Sequence, residues 1–356
     1  MTNILDDYTQ IKKIDKSNVL GSVEALPDQC LHAWEEASKV KVPENFRKVE
    51  KLVMTGMGGS GLGARVIESV FQNQLKIPLT RVNNYALPPF VDQQTLVICS
   101  SYSGSTEEVV ENVKQALAKK AKTMVVATGG PVIKLALKYH LPYYQIRPTY
   151  NPSQQPRMAV GYSIIGQLAL ANRAGIIKLT DKKVKKVVLV MRQTQQPLKI
   201  DIAEAKNLAK KLAKKMYNKM IAYAAARHLS GPIHVVKNQL NENAKTFAAR
   251  FDIPELNHHL MEGLRFPKKN QDNLFFFLAN SKLYHPRIQE RMVLTQEVIE
   301  KNKVPVYLWQ ATAKSRLEQA FELIQFGAFV NFYLSMLYGI DPAPIPWVDY
   351  FKAKLS

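Results

Sequence analysis

Cysteine is scarce: two residues, Cys30 and Cys99, occur in 356. They lie far apart and one falls in an apolar run, which excludes a disulfide scaffold or a cysteine zinc site and fits a reducing, cytoplasmic setting. Long apolar runs are lacking as well. The longest, Met158 to Leu170, is too short to span a bilayer and is interrupted by Gly161, Ser163, Gly166 and Gln167, so a buried helix is expected and no membrane partner. Met1 to Asp7 is polar and has neither the charged nor the apolar region of a signal peptide. Acidic residues are few, 29 against 49 Lys and Arg, for a net charge of +20. No zinc-finger spacing or aromatic RNP run accompanies that excess, so no nucleic-acid partner is expected; the positive field suits an anionic metabolite. The densest basic run is Lys206 to Lys219. Its Leu208, Leu212 and Met216 fall at i, i+4 and i+8, which predicts a helix with one apolar face and the rest solvated.

What is present is a chain long enough for two domains, 46% apolar. Its most informative stretch is Thr95 to Val109, TLVICSSYSGSTEEV. Leu96 to Cys99 read as a strand covered on both faces. Ser100, Ser101, Ser103, Ser105 and Thr106 crowd into the following turn, with Gly104 to relieve the backbone. Glu107, Glu108 and Glu111 then open a helix, where carboxylates suit the dipole. Hydroxyls and amides converging at a helix N-terminus can hold a phosphate.

An earlier turn points the same way. The strand Val49 to Thr55 runs into GMGGSGLG, Gly56 to Gly63, and then a helix. Gly56, Gly58 and Gly61 fit the dinucleotide fingerprint. The acidic residue that would hold a ribose is missing, however: Asn83 and Asn84 follow the second strand, Ile77 to Val82. A nicotinamide cofactor is therefore not expected. Further strands are predicted at Lys122 to Ala127 and Pro142 to Ile146, giving a doubly wound parallel sheet with both loops at its carboxyl edge.

Residues 1 to 48 read as a helical arm that packs on a domain or on a second subunit, with Leu26, Leu31, Trp34 and Ala37 at helical spacing. Arg147 to Arg157, with three prolines, reads as a linker. The second half repeats the alternation, with a basic helical stretch over Lys182 to Ala213, strands at Met220 to Ala226, Asn273 to Ala279 and Val304 to Trp309, and a terminal helix from about Trp347. Three expected units follow: the arm, a first α/β domain over 49–150 and a second over 151–356.

Four polar residues remain ambiguous on spacing alone. Glu242, between Asn241 and Asn243, suggests a helix N-terminus close to something polar, or a surface cap. PELNHH, Pro254 to His259, is a rigid polar turn with no i, i+4 histidine partner for a metal. Arg157 and Lys352 would otherwise pass for surface residues.

GMGGSGLG together with SSYSGSTEE resembles the sugar isomerase (SIS) domain. NENAK, PELNHH, the Pro156–Arg157 pair before a helix and the DPAP turn resemble the bifunctional phosphoglucose/phosphomannose isomerase family, from about Lys51 to the end. The resemblance implies an α/β fold of two SIS-type α/β/α sandwiches with parallel five-stranded sheets. It also implies a homodimer with active sites at the subunit interface, a hexose 6-phosphate substrate, and no metal or other cofactor. By position in the motifs, Gly59, Ser60, Ser101, Ser103 and Thr106 would bind the substrate phosphate. Glu242 would be the catalytic base, His258 the ring-opening residue supplied across the interface, Lys352 its helper, and Arg157 the cation beside the enediolate. The chain departs from the pattern at Ser105, Val109, His259 and Ala64–Arg65. Arg65 adds a cation, and the pair loses a carboxylate, close to an anion site.

Overall fold

The computed structural model describes residues 4–355; the polar start read from Met1 lies partly outside them. Helices α1 (Tyr8–Ile14), α2 (Val19–Glu24) and α3 (Leu26–Ala37) form the N-terminal arm. The first half continues with β1 (Lys51–Thr55), α4 (Leu62–Val70), β2 (Leu79–Val82), β3 (Thr95–Ser100), α5 (Glu107–Ala118), β4 (Lys122–Ala127), α6 (Gly130–Lys138) and β5 (Tyr143–Gln145). Then come α7 (Val160–Arg173), α8 (Asp181–Gln195), α9 (Leu208–Met216), β6 (Met220–Ala225), α10 (Ser230–Asn243) and β7 (Ala248–Asp252). The chain ends with α11 (Asn270–Asn273), β8 (Leu274–Asn280), α12 (Pro286–Lys301), β9 (Val306–Gln310), α13 (Arg316–Leu337) and α14 (Pro346–Leu355).

Both sheets are parallel, in the orders β2-β1-β3-β4-β5 and β7-β6-β8-β9. The first has the expected five strands. The second has four, and the expectation of five is corrected here: after β9 the chain passes through a short turn into the 22-residue α13 instead of returning as a strand. A strand at Ala248–Asp252 was not read from the sequence, because AARFD is short and only partly buried at the sheet edge.

Apolar alternation explains the layers. Val53, Val97, Cys99 and Val125 pack with α5 and α6 on one face of the first sheet. Leu52, Met54, Leu96, Ile98 and Met124 face the other way, against Ile164, Ile165 and Leu168 of α7. Helix α7 is buried along nearly its whole length, as its interrupted apolar run predicts. Helix α13 is the helix among the described residues long and apolar enough to cross a membrane, and it is buried instead. Its Phe321 and Ile324 join the first core while Leu323, Phe326 and Phe329 join the second, so one helix ties the halves together. The arm also divides: Leu5, Ile11, Val19 and Val23 enter the second core, Leu26, Trp34 and Ala37 the first. Both cysteines are free and buried.

Two local expectations need correcting. Arg147 to Arg157 is tied down more firmly than a linker: Ser22 Oγ lies within hydrogen-bond distance of both Asn151 Oδ1 (2.9 Å) and Ser153 Oγ (2.8 Å), all buried. The basic helix α9 does not expose all its lysines. Leu208 is 41% exposed, whereas Lys210 is fully buried among Ala209, Leu212 and Met216. Its Nζ donates to Asp6 Oδ1 (3.0 Å) and to the carbonyls of Ile200 and Ile202 (2.8 Å each) and sits over the Tyr333 ring. The stem is long enough to cross the apolar layer and the head is fully paired, which is what a buried ammonium requires. Lys210→Ala is expected to lower unfolding free energy by about 3 kcal/mol, since it leaves buried acceptors unpaired; urea denaturation measures it.

Candidate active site

The hydroxyl-rich loop forms where β3 ends. Ser101 is fully buried, and its Oγ lies 2.8 Å from Thr106 Oγ1 and accepts from the Gly104 amide at 3.1 Å. Ser103 is exposed at the rim and accepts from the Ser105 amide and hydroxyl at 3.3 and 3.1 Å. Thr106 precedes α5 without a side-chain cap, so its hydroxyl stays in the loop. Gly104 has φ +71°, and a Cβ there would lie 1.8 Å from the Gly129 carbonyl oxygen. Only glycine allows the serine turn to lie this close to the loop after β4.

The Gly-rich turn is fastened to the serine loop. The Tyr102 amide donates to Ser60 Oγ at 2.8 Å. Gln167 of α7 donates from Nε2 to Ser60 O (2.8 Å) and Ser100 Oγ (3.1 Å). Asn83 Nδ2 donates to the Gly56 carbonyl, so the residue after the second strand secures the turn itself. Ser60→Ala removes the acceptor for the Tyr102 amide. It is expected to lower unfolding free energy by about 1 kcal/mol, measured by urea denaturation.

From Gly59 the site continues to the second cluster. Gly59 faces the backbone of Arg157, whose Cα would stand 3.8 Å from an added Cβ. Arg157 is 3% exposed, contrary to the surface position suggested by spacing alone. Its Nε donates to Asn243 Oδ1 (2.7 Å), Nη1 to Gln155 Oε1 (3.1 Å) and Nη2 to the carbonyls of Pro342 (2.8 Å) and Ala343. The guanidinium is thus clamped between the end of α10 and the DPAP turn. Burial lowers its pKa, an effect opposed by Glu242, Asp341 and Asp349.

Glu242 lies in the last turn of α10, not at a helix N-terminus as its neighbours suggested. Because β6 and β7 are parallel, α10 must run back to the start of β7, and its C-terminal end lies at the amino edge of the second sheet. The carboxylate is half-buried and, among the described residues, has no hydrogen bond or ion pair. Burial raises its pKa; Arg157, Lys245, Lys352 and Lys237 pull it down in that order. A carboxylate held partly out of water, beside cations but bonded to none, has the character of a general base.

Two residues that hold this arrangement were not singled out from the sequence. Asn243 connects α10 to Arg157. Lys245 has a left-handed backbone (φ +52°) and donates from Nζ to the carbonyls of Asn243 (3.2 Å), Asp341 (3.4 Å) and Pro342 (2.9 Å). Burial first, then the nearby Arg157 charge, brings its pKa down to about 8. A lysine where a helix-ending glycine would be usual is the one signal that could have pointed to it.

The remaining predicted residues lie farther out. Lys352 is exposed on α14, with its charge felt at Glu242. His258 is exposed on the turn after β7, and no hydrogen bond joins it to Glu242 or Arg157 within the chain. Among the described residues no group of three or more His, Cys, Asp or Glu could hold a metal.

Comparison with known proteins bears on this geometry. A family profile described as bacterial phospho-glucose isomerase C-terminal SIS domain matches residues 205–355. A bifunctional phosphoglucose/phosphomannose isomerase of Caldicellulosiruptor bescii is 35% identical, covering 94% of this chain and 98% of that protein. One from Aquifex aeolicus is 26% identical, covering 91% and 94%. A solved hypothetical protein of Thermus thermophilus superposes with a TM-score of 0.73 at 18% identity, covering 95% of this chain and 89% of that one, a likeness of fold alone. The α/β/α layering is of the SIS type, and with full-length identity at this level the chain belongs to the bifunctional phosphoglucose/phosphomannose isomerase family.

Proposed function

We propose that this protein is an aldose–ketose isomerase that interconverts glucose 6-phosphate and mannose 6-phosphate with fructose 6-phosphate. The observation that carries the reading is Glu242: a half-buried, unbonded carboxylate of raised pKa next to a clamped Arg157, joined through Gly59 and Ser60 to a hydroxyl-lined anion loop. Gly59, Ser60, Ser101, Ser103 and Thr106 hold the phosphate, which does no chemistry and supplies binding energy that orients C1 and C2. His258, assisted by Lys352, opens the ring by proton transfer at the ring oxygen. Glu242 takes the proton from C2 of the aldose and returns it to C1 through a cis-enediol. Arg157 stabilises the negative charge that develops on the enediolate oxygens. Neither a metal nor a nicotinamide enters these steps. Return of the proton to either face of C2 connects both aldoses to one ketose.

The working form is a homodimer, with His258 reaching the Glu242 site of the partner. Helix α14 supports this reading: it buries none of its residues and exposes Trp347, Tyr350, Phe351 and Leu355, with Trp347 82% exposed. An apolar helix of this kind suits a second copy of the chain. Incubation with fructose 6-phosphate should yield both glucose and mannose 6-phosphates; formation of neither overturns the reading. Mixing Glu242→Gln with His258→Ala subunits should restore part of the activity if sites are shared. No restoration, once exchange of chains is demonstrated, would count against the shared site.

A further inference from the structure

A second concentration of positive charge lies between the two halves, where the edge strands β2 and β7 flank the crossing of α4 and α10. The crossing is close: a Cβ on Gly231 would stand 2.3 Å from the Arg65 carbonyl oxygen and 2.5 Å from Ser69 Oγ. Four elements each direct a cation or imidazole into this crevice: Arg65 from α4, Arg81 from β2, His234 and Lys237 from α10, and Arg250 from β7.

Two carboxylates pair with them directly, and Glu242, farther along α10, acts on Lys237 through space. Glu68 pairs with Arg81 at 2.8 Å, and Asp252 with Arg250 at 2.7 Å while also accepting from Ser230 Oγ at 2.6 Å. Among the described residues Arg65 and Lys237 have no hydrogen bond or ion pair, and the Nδ1 of His234 is buried without a partner. Four cations against two directly paired carboxylates and the more distant Glu242 leave net positive charge, all in half-buried side chains. The cost is visible in the titration of the group. Arg65 is lowered to about 10 by burial and then by Arg81 and Arg250. His234 is lowered to about 3 by burial and then by Arg65, Lys237, Arg250 and Arg81. A folded chain does not gain by gathering unpaired, mutually repelling cations at a domain joint; a bound anion would remove the repulsion.

We propose that this crevice is a second anion site, suited to a phosphate group, either free or carried on a phosphorylated metabolite. It is separate from the serine loop. Gly63 of α4 packs against Gln167, the residue that bonds Ser60 and Ser100, and Arg65 follows two positions later, about 200° around the helix. Arg65 therefore faces away from the loop. Planar guanidinium groups and a lysine suit phosphate oxygens.

The test measures binding and so does not depend on the isomerase reading. Equilibrium dialysis of the intact protein against labelled inorganic phosphate should count two phosphates per chain. Arg65→Ala/Lys237→Ala should retain one, with affinity at the crevice lowered roughly tenfold or more for each cation removed. Ser101→Ala/Thr106→Val should also retain one, at the crevice. Competition by glucose 6-phosphate in that second variant assigns the site to a phosphorylated metabolite; resistance to it assigns the site to free phosphate. In phosphate-free buffer Arg65→Ala/Lys237→Ala should melt no lower than wild type, because repulsion has been relieved, and should lose part of the phosphate-induced rise in Tm; these readings stand even where the loop variant does not fold. A phosphate count that Arg65→Ala/Lys237→Ala leaves unchanged from wild type overturns the proposal. So does a variant that shifts the monomer–dimer balance with no change in phosphate count, since the cations would then face carboxylates of a second copy.

Discussion

Glu242→Gln should abolish isomerisation of fructose 6-phosphate, with kcat lowered on the order of 10³-fold and KM close to that of wild type. The magnitude follows from removing general-base catalysis from a step that breaks a C–H bond. KM should hold because the proposed phosphate contacts come from the serine and glycine loops, which do not touch Glu242. The amide is nearly isosteric, so Asn243 and Arg157 should keep their geometry. Paired progress curves for the two aldose products measure the effect, and conversion at more than a tenth of the wild-type rate would remove Glu242 from the role of base.

Stability should move the other way. Burial raises the carboxyl pKa in the folded protein. The folded state thus binds a proton more tightly than the unfolded chain, and its contribution to stability is present below the unfolded pKa and lost as pH rises through the folded one. At neutral pH the ionised carboxylate is a burden on the fold, and Glu242→Gln should melt at or above the wild-type temperature. An inactive variant that is no less stable separates chemistry from folding. The same shift sets the acid limb of the pH profile: kcat/KM should rise with pH through an apparent pKa above the ordinary carboxylate value, and that limb should vanish in any residual activity of the amide variant.

Much of this was legible in the sequence where local chemistry decides the structure. The strands at Lys51–Thr55, Thr95–Ser100 and Lys122–Ala127 are short apolar runs ended by Gly56, Ser101 and Thr128–Gly129; the third falls where expected and the first starts two residues later than expected. The serine turn is equally local, since Gly104 and the acidic start of α5 leave few alternatives. The long-range features were not legible. Arg157 looks exposed because its acceptors lie at Asn243 and Pro342, far along the chain. Lys210 looks solvated because Asp6, Ile200 and Ile202 reach it from separate segments. The second sheet stops at four strands where the chain enters α13, whose two-sided burial shows only once the halves are assembled.

Arg157 should be the most informative position after Glu242, because each of its three nitrogens has an identified partner. Replacement by lysine keeps the charge and loses the fork. One ammonium cannot reach Asn243 Oδ1, Gln155 Oε1 and the Pro342 and Ala343 carbonyls together, so buried acceptors are left unpaired at a cost of about 1–3 kcal/mol. A lower Tm is therefore expected whether or not Arg157 takes part in the reaction, and Tm alone cannot decide its role. The split between kinetic constants can. A cation acting on the enediolate stabilises charge that exists only near the transition state, so its displacement should lower kcat on the order of 10²-fold while KM changes less than about threefold. A merely structural arginine would raise KM and lower Tm together as the loop joined to Gly59 loosens. Asn243→Ala supplies the control: it removes the Nε acceptor but leaves the guanidinium in place. It should lower Tm to a similar degree while retaining more activity than Arg157→Lys; if the two variants lose kcat equally, the arginine is acting through position alone.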